Sequence, residues 1–128
     1  MTAEASALIS VLVVDDAAFM RLAIKNVLNK HGFTVVADAK NGQEGVDKYK
    51  EFKPDVVTMD ITMPDMTGIE ALRLIREFDP NARVVMISAM GQESMVKEAI
   101  LSGAKSFIVK PYKEEHITQT LLKVASKC

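Results

Sequence analysis

The feature that constrains this chain most is one unit repeated five times: a short apolar run followed by an amphipathic stretch. The runs are Val11-Leu12-Val13-Val14, Thr34-Val35-Val36-Ala37, Val56-Val57-Thr58-Met59, Val84-Val85-Met86-Ile87 and Phe107-Ile108-Val109. Most of their residues are β-branched, and the apolar positions are consecutive instead of alternating, as in strands covered on both faces. The stretches between them carry apolar residues at helical spacing: Met20, Ile24, Val27 and Leu28; Val46 and Tyr49; Leu72 and Ile75; Val96, Ala99 and Ile100; Ile117, Leu121 and Val124. Gly32 can stop the first helix and Gly103 the fourth. Asn41 with Glu44, and Thr67 with Glu70, match the capping box that opens a helix. No hairpin signal joins any two runs, so the connections are right-handed crossovers between parallel strands. The prediction is an α/β fold: a five-stranded parallel sheet, doubly wound, with helices on both faces. At 128 residues the chain is one domain. The expected domain spans residues 8–128, after a frayed segment at 1–7 and with no output domain behind the fifth helix.

Charge and cysteine content exclude several classes. Sixteen basic and seventeen acidic side chains leave a net charge of −1 with no basic block, which argues against a nucleic-acid binder. Cys128 is the only cysteine, so no intrachain disulfide can form and a reducing compartment fits. The first ten residues lack a basic start, and the apolar run after them stops at Asp15-Asp16. Neither a signal peptide nor a membrane span is expected, which points to the cytoplasm.

Four of the five runs end in a polar group: Asp15-Asp16 after the first, Asp60 after the third, Ser88 after the fourth, Lys110 after the fifth. In open parallel sheets ligands bind at the carboxyl ends of the strands. Neighbouring strands lie about 4.8 Å apart, so acids at adjacent ends can reach one ion. Carboxylates about 4 Å apart repel by about 4 kcal/mol per pair at an effective dielectric near ~20, so cations must meet them. Lys110 offers one positive charge and a hard divalent ion the rest. Oxygen ligands with open positions suit Mg²⁺, for which Mn²⁺ can substitute. A carboxylate is also a nucleophile, and its attack on a phosphoryl group gives an aspartyl phosphate. That transfer is catalysed mainly by positioning and charge neutralisation. Asp60, alone at its strand end, is the expected nucleophile. Asp15 and Asp16 would hold the metal with the Thr62 backbone carbonyl, and Lys110 and Ser88 would bind phosphoryl oxygens.

Val13-Val14-Asp15-Asp16, Met59-Asp60 with Met63-Pro64, Ser88-Ala89 and Lys110-Pro111 resemble the response-regulator receiver family, in order and over essentially the whole chain. Asp15-Asp16-Ala17-Ala18-Phe19-Met20-Arg21 is similar to its stand-alone CheY-type chemotaxis members. CheY-type proteins are themselves a standard example of the flavodoxin-like strand order 2-1-3-4-5, so that order comes with the resemblance and not from the residues. The resemblance implies a CheY-like receiver fold in which Asp60 takes a phosphoryl group from a CheA-like histidine kinase. Asp15, Asp16, Asp60 and the Thr62 carbonyl would serve Mg²⁺; Ser88, Ala89 and Lys110 would serve the phosphoryl group. Phe107 stands where the family has a switching Tyr or Phe, without the phenol hydroxyl that a hydrogen-bonded switch needs. Thr62 and Met90 occupy positions that tune phosphate lifetime, and a cis bond is expected before Pro111. The implied partners are the kinase, a flagellar motor switch protein or other phosphorylation-dependent target, and a phosphatase. The protein would be a monomeric signalling switch, not an enzyme. The alternative within signalling is a phosphorelay intermediate that hands its phosphoryl group to a second histidine protein.

Other classes fit the same residues less well. Magnesium-dependent phosphohydrolases carry an acid-x-acid nucleophile motif on the first strand, whereas Asp60-Ile61-Thr62 has no second acid. A flavodoxin surrounds its flavin phosphate with hydroxyls and glycine, and Asp15-Asp16 would repel that phosphate. His31 and His116 have no partner at metal-ligand spacing; His31 suits a helix end as a cation. Met95 and Leu101 fall outside the Val96-Ala99-Ile100 stripe and are candidates for a partner surface.

Overall fold

In the computed structural model, which describes residues 9–125, the expected alternation is present. The elements are β1 (Ser10–Val14), α1 (Ala18–Lys30), β2 (Thr34–Ala39), α2 (Gly42–Phe52), β3 (Val56–Asp60), α3 (Gly68–Phe78), β4 (Val84–Ser88), α4 (Glu93–Leu101), β5 (Ser106–Val109) and α5 (Glu114–Ala125). The strands form one parallel sheet in the order β2-β1-β3-β4-β5, the order that the resemblance implied. Residues 1–7 and Cys128 lie outside the described residues. Among the described residues, no helix is long and apolar enough to cross a membrane.

Successive side chains on a strand point to opposite faces, and here they build two separate apolar layers. Val11 and Val13 of β1 join Val56, Val85, Ile87 and Ile108 under α1 and α5, which supply Ile24, Leu28, Ile117 and Leu121. Leu12 and Val14 join Val57, Met59, Val84 and Met86 under α2, α3 and α4, which supply Val46, Tyr49, Leu72, Ile75 and Ala99. The inner strands β3 and β4 are buried at every residue, which accounts for their unbroken apolar runs.

Helix ends follow the sequence signals with one refinement. Gly32 and Gly103 take left-handed backbone at φ +86° and +109° just beyond α1 and α4, as expected of stop signals. The Thr67–Glu70 capping box is complete: Thr67 Oγ1 accepts from the Glu70 N–H at 3.2 Å, and Glu70 Oε1 accepts from the Thr67 N–H at 3.1 Å. The Asn41–Glu44 box is only half formed. Asn41 Oδ1 accepts from the Glu44 N–H at 2.8 Å, but Glu44 Oε1 accepts from the Lys40 N–H, one residue early, at 3.2 Å.

The buried face of α4 differs from the expected stripe. Met95 and Val96 pack partly buried against the core beside Ala99, while Ile100 is 42% exposed and Leu101 80% exposed. Both triads satisfy the spacing of three and four residues that puts side chains on one helix face. Packing against the sheet selects the first, so Met95 leaves the candidate partner surface and Leu101 stays in it.

Candidate functional site

Strand register assembles the site. Val14 pairs with Met59, so Asp15 and Asp60 emerge side by side at the carboxyl edge of β1 and β3. Asp60 pairs with Ile87, which places Ser88 next to it, and Ser88 pairs with Val109, which brings Lys110 to the same edge. Lys110 Nζ lies 3.8 Å from Asp60 Oδ1 and 4.0 Å from Asp15 Oδ2. One carboxylate oxygen from each of Asp15, Asp16 and Asp60 lies within 4.8 Å of the others. The sequence-predicted acids and lysine are thus brought together. Asp15 and Asp60 are buried, and Asp16 is open to solvent.

Burial makes Asp15 and Asp60 reluctant to ionise. The Asp60 pKa is pushed up to about 6, first by removal from water and then by the Asp15 charge, against the pull of Lys110. Asp15 is also raised, again by burial first, although the Ala17 N–H and Lys110 oppose it. Like-charge repulsion, the cause the sequence suggests, comes second to desolvation, because β1 and β3 are covered on both faces up to their last residues.

The surrounding chain holds the acids in place. The Ala17 N–H donates to Asp15 Oδ1 at 2.9 Å, and Arg21 Nη1 donates to the Asp15 carbonyl at 2.7 Å. Arg21 in turn meets Asp38 of β2 at 3.2 Å, where Lys25 also arrives at 3.3 Å. On the other side the Gly68 N–H donates to the Ile61 carbonyl at 2.7 Å, clamping both ends of the loop after β3. The Lys110–Pro111 peptide bond is cis, as the resemblance implied.

The donor set fits a hard divalent cation. Three carboxylates converge, and among the described residues buried Asp15 Oδ2 has no hydrogen-bond partner, with only Lys110 Nζ facing it at 4.0 Å; a closer cation would offset the cost of that burial. Ser88 Oγ is likewise buried and without a partner. Phe107 is 42% exposed and Met90 75% exposed. With Val96, Ile100 and Leu101 they line an apolar groove of about 670 Å³ that reaches Ser88 and Ala89. His31 stands apart from the site, at the end of α1, with Nε2 3.6 Å from Glu114.

Two residues at or beside the site escape a reading of the sequence. Asp38 directly follows the second apolar run and lies inside β2, and its signal is the pair Arg21 and Lys25, four apart on one face of α1. Gln92 bridges the loops after β3 and β4. Its Oε1 accepts from the Ala89 N–H at 2.7 Å, and its Nε2 donates to Thr62 Oγ1 at 2.7 Å. No local pattern marks it.

The profile of the response regulator receiver domain matches residues 11–122. The chain is 56% identical over 115 residues to the chemotaxis protein CheY of Thermotoga maritima, covering 90% of this chain and 96% of that one. It is 58% identical over 113 residues to the chemotaxis protein CheY of Bacillus subtilis, covering 88% and 94%. Among solved structures, the CheX-CheY-BeF3-Mg²⁺ complex from Borrelia burgdorferi matches with a TM-score of 0.88 at 45% identity, over 93% of this chain and 90% of that one. Likeness of this extent carries more than a shared architecture, and the chain belongs to the response regulator receiver domain family.

Proposed function

We propose that Asp60 is the phosphoacceptor of a chemotaxis switch, charged by a CheA-like histidine kinase and read by a flagellar motor switch protein. The observation that carries this reading is the placement of the buried Asp60 carboxylate 3.8 Å from Lys110 Nζ and within 4.8 Å of two further carboxylates. Relatives named as chemotaxis proteins at 56% and 58% identity support motor control over a phosphorelay role. The Borrelia complex joins a CheY to CheX with beryllofluoride, which supports partners that engage the phosphorylated form; a phosphatase would be one more such partner. The protein would act in the cytoplasm as a monomer.

In the transfer, an Asp60 carboxylate oxygen attacks the phosphorus of the phosphohistidine. The O–P bond forms as the P–N bond breaks, and the nitrogen keeps the bonding pair; a proton already on the other ring nitrogen lets the imidazole leave neutral. With its pKa raised to about 6, Asp60 is ionised at neutral pH, as a nucleophile must be. Lys110 faces the charge that builds on the phosphoryl oxygens. Ser88 Oγ, which has no bond to give up, would donate to one of those oxygens, and the Ala89 N–H to another. Mg²⁺ or Mn²⁺, held by Asp15, Asp16, Asp60 and the Thr62 carbonyl, supplies further charge neutralisation when bound.

The response follows from the loop after β4. Drawing Ser88 and Ala89 toward the phosphoryl group opens space in the apolar groove for Phe107 to turn inward, altering the surface made by α4, β5 and α5. Burying a phenylalanine is worth roughly 1.5–3 kcal/mol, whereas moving an equilibrium from about 1:99 to 99:1 takes about 5.5 kcal/mol. Contacts from Ser88, Ala89 and Lys110 to the phosphoryl group must therefore supply much of the bias. The test is labelling with acetyl phosphate or a phosphorylated kinase in Mg²⁺, followed by mass spectrometry. Asp60 should carry the group and Asp60→Asn should take none; a label on another residue defeats the reading.

A further inference from the structure

Gln92 immediately precedes α4, yet its side chain does not cap that helix. It turns back, so that one amide ties the loop after β3, through Thr62 Oγ1, to the loop after β4, through the Ala89 N–H, each at 2.7 Å. Those two loops flank Asp60. The Gln92 carbonyl also accepts from the Val96 N–H at 2.9 Å, so the same residue starts the first turn of α4. Before it stands Gly91, at φ +89° with open space around its Cα, a place where the loop can bend.

We propose that Gln92 is a positioning residue that competes with the phosphoryl group for the Ala89 N–H, and so sets how readily Asp60 is occupied and how the start of α4 responds. This rests on the reading of Asp60 and Ala89 given above. A backbone N–H is a single donor, and here Gln92 Oε1 already takes it. A phosphoryl oxygen on Asp60 is anionic and the stronger acceptor. When it takes the Ala89 N–H, the Gln92 amide loses that anchor and keeps its Nε2 contacts to Thr62 Oγ1 and Met95 Sδ. Ser88 Oγ has no partner to leave, so the exchange at Ala89 is where a bond must break before the loop can close. Because Gln92 carries the first hydrogen bond of α4, the release is felt at the helix start, beside the groove that holds Phe107 and Met90.

The experiment titrates beryllofluoride with Mg²⁺, a stand-in for the phosphoryl group, into the full chain and its variants. Binding by the wild type that is lost in Asp60→Asn secures the acceptor reading independently of Gln92. Gln92→Ala frees the Ala89 N–H and should bind about two- to tenfold tighter, the worth of one exchanged hydrogen bond. Gln92→Glu keeps an acceptor for Ala89 and adds a negative charge beside the incoming anion, so it should bind more weakly than wild type. A merely structural role would weaken both variants, because disorder in the loop penalises either. Gln92→Asn, too short to reach Ala89 and Thr62 together, repeats the alanine test with an amide retained. In the wild type, the Gln92 side-chain amide and Ala89 backbone amide resonances should shift together at saturation. Binding by Gln92→Ala and Gln92→Asn equal to or weaker than wild type, or Gln92 resonances that do not move, overturns the competition. No binding by the wild type overturns the acceptor reading, and the competition with it.

Discussion

A Cβ placed on Gly68 would lie 2.0 Å from the carbonyl oxygen of Asp60. The first turn of α3 is pressed against the backbone of the strand end that carries the candidate acceptor. That neighbour is main chain and cannot rotate aside, so any side chain at position 68 must move the end of β3 or the start of α3. Gly68→Ala is expected to lower stability by about 1–3 kcal/mol and to slow phosphoryl labelling by displacing Asp60. Urea unfolding and acetyl-phosphate labelling measure the two effects; a variant unchanged in both would show that the contact relaxes freely.

The raised Asp60 pKa predicts an unusual pH dependence without metal. An unfolded carboxyl titrates near 3.8 and the folded one at about 6, so between these values the native state holds the extra proton. Asp60 therefore favours the fold most at low pH, and that contribution is lost as pH rises through about 6. The loss is on the order of 3 kcal/mol. In EDTA, Asp60→Asn should be more stable than wild type at pH 7.5, and the difference should shrink toward pH 4.5. Equal stability of the two proteins across that range would contradict burial of a charged Asp60.

Arg21 is expected to matter to the metal although it touches no candidate metal-binding carboxylate oxygen. Burial would raise the Asp38 pKa, but Lys25 and Arg21 outweigh it and hold the carboxyl below its usual value. The depressed group contributes stability above its unfolded pKa, and that contribution is lost as pH falls through the folded one. Arg21→Ala should cost roughly 0.5–1 kcal/mol at neutral pH, a modest sum because the pair is part-exposed, with less loss near pH 3. It should also weaken Mg²⁺ binding by unpinning the Asp15 carbonyl. Calorimetric Mg²⁺ titrations indistinguishable from wild type would remove Arg21 from the support of the site.

Ser88→Ala should separate accepting the phosphoryl group from responding to it. Asp60 and Lys110 stay in place, so labelling continues, while the pull on the loop after β4 loses one of its donors. Lys110→Arg should uncouple the two in the same way, since a broad planar guanidinium replaces a compact ammonium. NMR shifts from Met90 to Ile108 at matched phosphorylation report the response, which should be muted in both variants. Full wild-type shifts in Ser88→Ala would send the signal by another route.

The strand-end residues were legible because parallel pairing leaves little choice. Once Val14, Met59, Ile87 and Val109 are recognised as buried strand residues, Asp15, Asp60, Ser88 and Lys110 must surface at one edge. Strand order was legible only through family likeness, since the apolar runs are too alike to rank. What local pattern could not give depends on contacts distant in sequence. The face that α4 buries is chosen by the sheet and not by its own spacing. Gln92 becomes notable only when Thr62 comes within 2.7 Å of its amide. Asp38 reads as an interruption of β2 until Arg21 and Lys25 are seen over it.

Among the described residues, the two apolar layers on either side of the sheet share no side chain. Volume changes made under α1 and α5 should then combine additively with changes made under α2, α3 and α4, because distant sites without common neighbours rarely couple. Ile24→Val with Leu72→Met, one from each layer, is a pair on which that independence can be checked. The sheet thus works as a partition: packing beneath α1, around Ile24 and Leu28, can be made hardier or softer without retuning the packing beneath α4, so durability there and the fit of α4 are separately adjustable in one small chain.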